Sequence, residues 1–134
     1  MTAYRLAAVL GSGEVERLYS GLSVLVSAAS AGSRCAGLAT FRALGLLMDD
    51  DLLRRAQEPE ASPGLSWGGR ETFARSLVEL RDMALDLDGL DLYACSASVD
   101  TMALMPADVE ERLEGVMSTP RFLRATTGAR LVVV

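Results

Sequence analysis

The chain has 134 residues and a net charge of −5, and half of its residues are hydrophobic, so a single domain with an aliphatic core is expected over residues 1–134. The sequence contains no histidine, which excludes catalytic pairs and triads built on histidine as well as His-ligated metal sites. An acidic chain without a basic stripe is a poor match for nucleic acid, and no segment reaches the ~20 apolar residues that span a bilayer.

The first half of the chain alternates apolar strands with helices. The expected strands are 4–10 and 34–41, and the expected helices are 15–29, 44–48 (a short apolar turn or helix) and 49–55. Gly11-Ser12-Gly13 closes the first strand, and Gly32 ends the first helix.

A segment rich in Pro, Gly and Ser, 57–69, divides the two halves and predicts a long loop. It carries the single tryptophan, Trp67, which either serves as a lid or interface anchor or tucks the loop onto the core. The elements expected after it are a helix over 71–87, a strand over 90–94, a short helix around 99–104, a helix from Pro106 that Gly115 ends, a short strand or helix extension at 116–118, a helix over 120–126 and a strand over 129–134.

The predicted strands are apolar throughout, without alternation of polar and apolar residues. Strands of this kind, separated by helices, are typical of a parallel sheet that is covered on both faces. The fold class expected is therefore α/β, a three-layer α/β/α sandwich with a mostly parallel sheet.

Ligands of open α/β sheets bind beyond the carboxyl ends of the strands. Three segments are expected at that edge: Gly11-Ser12-Gly13, Thr40-Phe41-Arg42 and Cys95-Ser96-Ala97-Ser98. The first segment lacks the spacing of a P-loop or a dinucleotide fingerprint, so it is interpreted as a tight turn.

The two cysteines are far apart in sequence and form no CxxC motif, which predicts reduced thiols in a cytoplasmic protein. The start of the chain does not fit a signal peptide.

Cys35 lies inside an apolar strand and is interpreted as core packing. Cys95 ends a strand and precedes a short helix, where backbone N–H groups would stabilise a thiolate. Arg42 is the only cation expected nearby, Asp100 would oppose the thiolate, and a structural, buried Cys95 remains the alternative.

Three stretches of sequence together resemble the DsrE/DsrF-like family of small sulfur-trafficking proteins, which also appear under peroxiredoxin-like names. They are Ala39-Thr40-Phe41 with Leu44-Gly45-Leu46-Leu47, the segment LYACSASVDTM at 92–102, and TPRFLRA at 119–125 with RLVVV at 130–134. Their order and spacing cover nearly the whole chain.

The resemblance implies a five-stranded sheet in which 116–118 is the fourth strand. It also implies a homo-oligomer, a trimer or a dimer of trimers (a hexamer), in accord with the positive mean hydropathy of +0.25. Cys95 falls on the cysteine that in active members accepts and passes on sulfur as a persulfide. Ala103 stands where members of the family often have a Gly after the Met. The second thiol that some members carry near the C-terminus is not found here, which argues against a sulfur relay within one chain.

The site residues expected are Cys95 as the reactive group, with a pocket lining formed by Ser12, Thr40, Phe41, Arg42, Ser96, Ser98 and Met102. One hypothesis is a sulfur carrier that exchanges sulfur with a donor or acceptor protein. The alternative is a non-catalytic oligomeric module that binds a small ligand or a partner at the same edge. Peroxide reduction is disfavoured because no resolving cysteine is evident, and neither a cofactor nor a metal is expected.

Overall fold

A computed structural model describes residues 3–134 as five strands and seven helices. The strands are β1 (Leu6–Leu10), β2 (Cys35–Ala39), β3 (Leu90–Cys95), β4 (Gly115–Met117) and β5 (Arg130–Val133). The helices are α1 (Val15–Ser30), α2 (Phe41–Met48), α3 (Leu52–Ala56), α4 (Trp67–Asp86), α5 (Ser96–Thr101), α6 (Pro106–Arg112) and α7 (Thr119–Ala125).

The strands form one sheet in the order β4-β3-β2-β1-β5, and every neighbouring pair is parallel. From β1 to β4 the chain moves along the sheet in one direction, and it then returns past β1 to add β5. Because crossovers between parallel strands are right-handed, helices α1 to α6 lie on one face and α7 lies on the other. The predicted three-layer α/β/α sandwich with a parallel sheet is confirmed.

Two hydrophobic clusters occupy the two faces of this sheet. The larger cluster takes alternate strand residues such as Leu10 and Leu92 together with apolar side chains of α1 to α6. The smaller cluster takes the opposite strand positions, including Leu38 and Cys95, and packs them against Phe122 of α7, which is fully buried. The thiol of Cys95 therefore belongs to the thinly covered face.

Several element boundaries differ from those predicted. The second strand ends at Ala39 rather than at residue 41, because α2 already begins at Phe41. The loop predicted over 57–69 ends earlier, since α4 starts at Trp67 instead of residue 71. The side chain of Ser66 accepts a hydrogen bond from the amide of Gly69, and this N-cap offsets the low helix propensity of the glycines in the first turn.

The bounds of two further helices, α5 and α6, also differ from the predicted ones. The helix after Cys95 begins directly at Ser96 and ends at Thr101, earlier than the predicted 99–104. The helix from Pro106 ends at Arg112, and Gly115 opens β4 instead of ending that helix. Residues 115–117 are thus a strand, and Trp67 is 74% exposed, so it does not tuck the loop onto the core.

The carboxyl end of α2 is held by a buried arginine. Arg81 of α4 is 6% exposed, and its Nη1 donates hydrogen bonds to the carbonyls of Leu46 at 3.2 Å and Asp49 at 2.5 Å. The carbonyl of Leu46 also accepts a hydrogen bond from the amide of Asp49. The guanidinium adds a charged donor at this end of the helix, where it favours the negative end of the helix dipole. Arg81 fixes the position of α2, whose other end faces the strand edge.

Within the described part of the chain, none of the helices combines the length and the apolar character needed to cross a bilayer.

Candidate functional site

Cys95 is the last residue of β3 and directly precedes α5, in the N-cap position of that helix. In the register of β3 with β4, Cys95 lies opposite Met117. The chain leaves β4 at Met117 and starts α7 at Thr119, so two helices begin beside this thiol. Cys95 is 5% exposed, whereas Thr119 lies at the surface.

Polar groups from both helices face the Cys95 sulfur. Burial raises the pKa of the Cys95 thiol, but hydrogen bonds from the amide and hydroxyl of Ser98, the amide of Ala97 and the hydroxyl of Thr119 outweigh it, and the net pKa lies below its ordinary value. Hydrogen bonds to the charged form of a group stabilise that form. The arrangement therefore favours a thiolate, which is the nucleophilic form of cysteine.

Ser98 connects the thiol to the neighbouring strand end. Its side chain is fully buried, and its Oγ accepts a hydrogen bond from the backbone amide of Phe41 at 2.9 Å. Phe41 has a φ of 44°, a left-handed conformation that is strained for a bulky L-residue. This conformation is part of the turn that brings the first amide of α2 to Ser98.

The other predicted pocket residues have local roles. The Oγ of Ser12 accepts a hydrogen bond from the amide of Glu14 at 3.0 Å, which fits the tight-turn interpretation. The hydroxyl of Thr40 donates to the carbonyl of Leu10 at 3.4 Å and joins the ends of β1 and β2. Ser96 is half-buried in the first turn of α5.

Arg42 and Met102 line a separate cavity on the α2 side of the sheet, between α2 and the segment after α5. The side chain of Arg42 packs on Gly13, where an added Cβ would lie 2.5 Å from the arginine Cδ. The structure thus brings Cys95, Ser98 and the amide of Phe41 together, and it gives Arg42 and Met102 to a different concavity at the same edge.

Cys35 cannot take part in chemistry at Cys95. Burial raises the pKa of the Cys35 thiol, which donates a hydrogen bond to the carbonyl of Ser33 at 3.4 Å. Cys35 pairs in register with Leu90, at the opposite end of β3 from Cys95. Five residues of strand separate the two positions by about 16 Å, beyond the reach of a disulfide. Both cysteines are free.

Thr119 is the site residue that the sequence interpretation missed. The signal was present in the expected short fourth strand, because residues that follow β4 must reach the same edge as those that follow β3. Across residues 3–134, no group of three or more Cys, Asp or Glu side chains is arranged to hold a metal ion. The chemistry that the site offers is that of a single stabilised thiolate.

A scan against protein-family models finds no family that matches this chain. No curated protein matches it significantly. The resemblance to the DsrE/DsrF-like family therefore stays a prediction.

Proposed function

We propose that this chain is a DsrE-like sulfur carrier that holds a sulfane sulfur on Cys95. The observation that carries the proposal is the position of the Cys95 thiol at a strand end, where donors from Ser98, Ala97 and Thr119 meet the sulfur and lower its pKa. A thiolate at the carboxyl edge of a parallel sheet stands where ligands of such folds bind. The same amides and hydroxyls would stabilise a bound persulfide anion.

The transfer needs no external oxidant or reductant. The Cys95 thiolate attacks the outer sulfur of a donor hydropersulfide, R–S–SH, and a bond forms between Sγ and that sulfur. The bond from the outer sulfur to R–S breaks, and R–S⁻ leaves with the electron pair. An acceptor thiolate then removes the outer sulfur from Cys95 in the same way and regenerates the thiolate.

The limited exposure of Cys95 restricts the donor. Because only 5% of the residue's surface is accessible, the donor in this proposal is a small inorganic or low-molecular-weight persulfide. A partner protein, as donor or acceptor, would have to present its sulfur on a protruding segment next to Thr119. A free, stabilised thiol suits a reducing compartment, and we therefore propose a cytoplasmic location.

Intact mass after incubation with inorganic polysulfide tests this function. The wild type and the control Cys35→Ser are expected to gain one sulfur atom that dithiothreitol removes, and Cys95→Ser is expected to gain none. Circular dichroism checks that each variant is folded. A wild type that gains no sulfur, or a Cys95→Ser variant that gains as much, would contradict the proposal.

We further propose that the chain forms a homo-oligomer, a trimer or a hexamer, through the face of the sheet that carries α7. Two residues of β5, Leu131 and Val133, lie on that face, because they pair in register with Ala7 and Val9 of β1. They are 48% and 73% exposed. One seven-residue helix leaves them uncovered, and exposed aliphatic area of this kind marks interaction surfaces.

Sedimentation velocity tests the oligomer. The wild type is expected to sediment as a trimer or hexamer at micromolar concentration, and Val133→Asp as a monomer. Val24→Asp is the matched control, because Val24 is 49% exposed on α1, on the other face. A monomeric wild type, or equal dissociation by both substitutions, would contradict the proposed interface.

A further inference from the structure

A cavity of about 670 Å³ opens at the carboxyl edge of the sheet, apart from the Cys95 thiol. Its apolar wall is formed by Gly45, Leu46 and Met48 of the α2 segment and by Met102 and Leu104 after α5. The volume lies within the range of about 300–1,000 Å³ that small-molecule sites occupy. The cavity is therefore large enough for a small-molecule ligand.

The choice of residues in the cavity walls keeps the space between them open. Gly45 lies in the middle of α2, where glycine is unfavourable for a helix. A Cβ at this position would lie 3.4 Å from the terminal methyl of Met102, so any larger side chain would fill the space between α2 and the segment after α5. The thioethers of Met48 and Met102 provide an adaptable apolar surface.

Of the two arginines that line the cavity, Arg42 has no ion-pair partner in the described part of the chain. Asp49 and Arg55, both in the lining, form an ion pair with each other. Arg42, also in the lining, makes no salt bridge or side-chain hydrogen bond to any residue of the described range 3–134. Its stem is fixed against Gly13. Arg42 is exposed, so its guanidinium stands at the rim of an apolar concavity without a protein partner among the described residues.

Strained backbone flanks the same cavity on two sides. Among residues 3–134, the non-glycine residues with positive φ are Phe41, at 44°, and Ala103, at 54°. Phe41 directly precedes Arg42, and Ala103 lies between Met102 and Leu104. Strain of this kind concentrates at ligand clamps and active sites, and here it sets the direction of the lining residues.

We infer that this cavity binds a small organic acid with one carboxylate and an unbranched aliphatic body. Arg42 would take the carboxylate through paired N–H donors, as guanidinium groups do. The methionine and leucine side chains would enclose the aliphatic chain. Because Asp49 and Arg55 neutralise each other, Arg42 is left as the cation of the lining that can take a ligand's charge, which suits a monoanion.

Methyl NMR with ¹³C-methyl methionine tests the inference, with octanoate as the probe and 1-octanol as its neutral analogue. Octanoate is expected to shift the Met48 and Met102 methyl signals saturably and to leave Met83, which is exposed on α4, unchanged. A lost charge-assisted contact corresponds to at least about tenfold in affinity. Octanol is therefore expected to bind about tenfold more weakly than octanoate.

Four variants complete the test. Arg42→Ala is expected to weaken octanoate about tenfold and to leave octanol unchanged, whereas the matched control Arg121→Ala, exposed on α7, changes neither. Gly45→Leu is expected to abolish binding of both. Cys95→Ser is expected to bind octanoate like the wild type, which separates this site from sulfur transfer. Equal affinities for octanoate and octanol, equal effects of both arginine variants, or a Met83 shift parallel to Met102 would overturn the inference.

Discussion

The backbone amide of Phe41 donates a hydrogen bond to the Oγ of Ser98 over 2.9 Å, and so ties the end of β2 to the helix that follows Cys95. A serine hydroxyl has one proton to donate, and its lone pairs accept. Because the Phe41 amide supplies the bond that Ser98 accepts, the hydroxyl proton is free to point at the Cys95 sulfur. The strained turn at Phe41 and the lowered pKa of Cys95 are thus parts of one arrangement.

The left-handed turn below the site predicts a stabilising substitution. Ala103 has a φ of 54°, a conformation that costs an alanine about 1–2 kcal/mol and glycine almost nothing. Glycine also loses more entropy on folding, by about 0.5–1 kcal/mol. Ala103→Gly is therefore expected to raise the free energy of unfolding in urea by about 0.5–1 kcal/mol.

Ala107→Gly provides the control, because Ala107 is exposed in an ordinary helical turn of α6. It is expected to lower the free energy of unfolding by up to about 1 kcal/mol. If both glycine substitutions destabilise the protein alike, the turn at Ala103 is not strained.

The buried guanidinium of Arg81 predicts a large loss of stability on substitution. Arg81→Met keeps the packing volume but removes the two hydrogen bonds that the guanidinium donates to the carbonyls of Leu46 and Asp49 at the end of α2. Hydrogen bonds to a charged group contribute about 1.5–3 kcal/mol, so urea denaturation is expected to show a loss in that range. Arg75→Ala, which removes an exposed pair with Glu71, is expected to cost below about 0.5 kcal/mol. An Arg81→Met variant as stable as Arg75→Ala would show that the capping is dispensable.

The buried thiol of Cys35 predicts how stability falls at alkaline pH. Its folded pKa is raised by burial, so the folded state keeps a proton that the unfolded state loses above its ordinary pKa of about 8.5. The stability that this group contributes is present below that pH and is lost as pH rises toward the folded pKa. Cys35→Ala is expected to be less stable at neutral pH but to decline less steeply from pH 8.5 upward.

Urea denaturation at a series of pH values measures this difference between the wild type and Cys35→Ala. The comparison cancels the opposite contribution of Cys95, which both proteins share. Parallel stability curves over the alkaline range would mean that Cys35 ionises equally in the folded and unfolded states.

The sequence predicted the structure best where an apolar run was compatible with one kind of element only. Continuous aliphatic strands predicted the parallel sheet, and the position of Cys95 at a strand end followed from it. The start of α4 was missed because two glycines mask the N-cap formed by Ser66. Side-chain placement was harder, because the direction of Arg42 depends on a positive φ at Phe41, which no local pattern of L-residues signals.

The contacts of the thiol illustrate the same limit. Ser98 follows Cys95 by three residues and was predicted beside it, whereas Thr119 comes from a different helix. Only the register of β4 against β3 brings Thr119 to the sulfur. Because the residues alone left this short segment open as a strand or a helix extension, Thr119 was not recognised as a neighbour of Cys95.

The most direct test of the account is the pH dependence of Cys95 alkylation by iodoacetamide, followed by peptide mass spectrometry. The rate is expected to rise with a midpoint below the ordinary cysteine pKa of about 8.5, and Ser98→Ala is expected to move that midpoint upward while Ser12→Ala leaves it unchanged. A wild-type midpoint at or above the ordinary value, or one that Ser98→Ala does not move, would contradict a thiolate stabilised by Ser98.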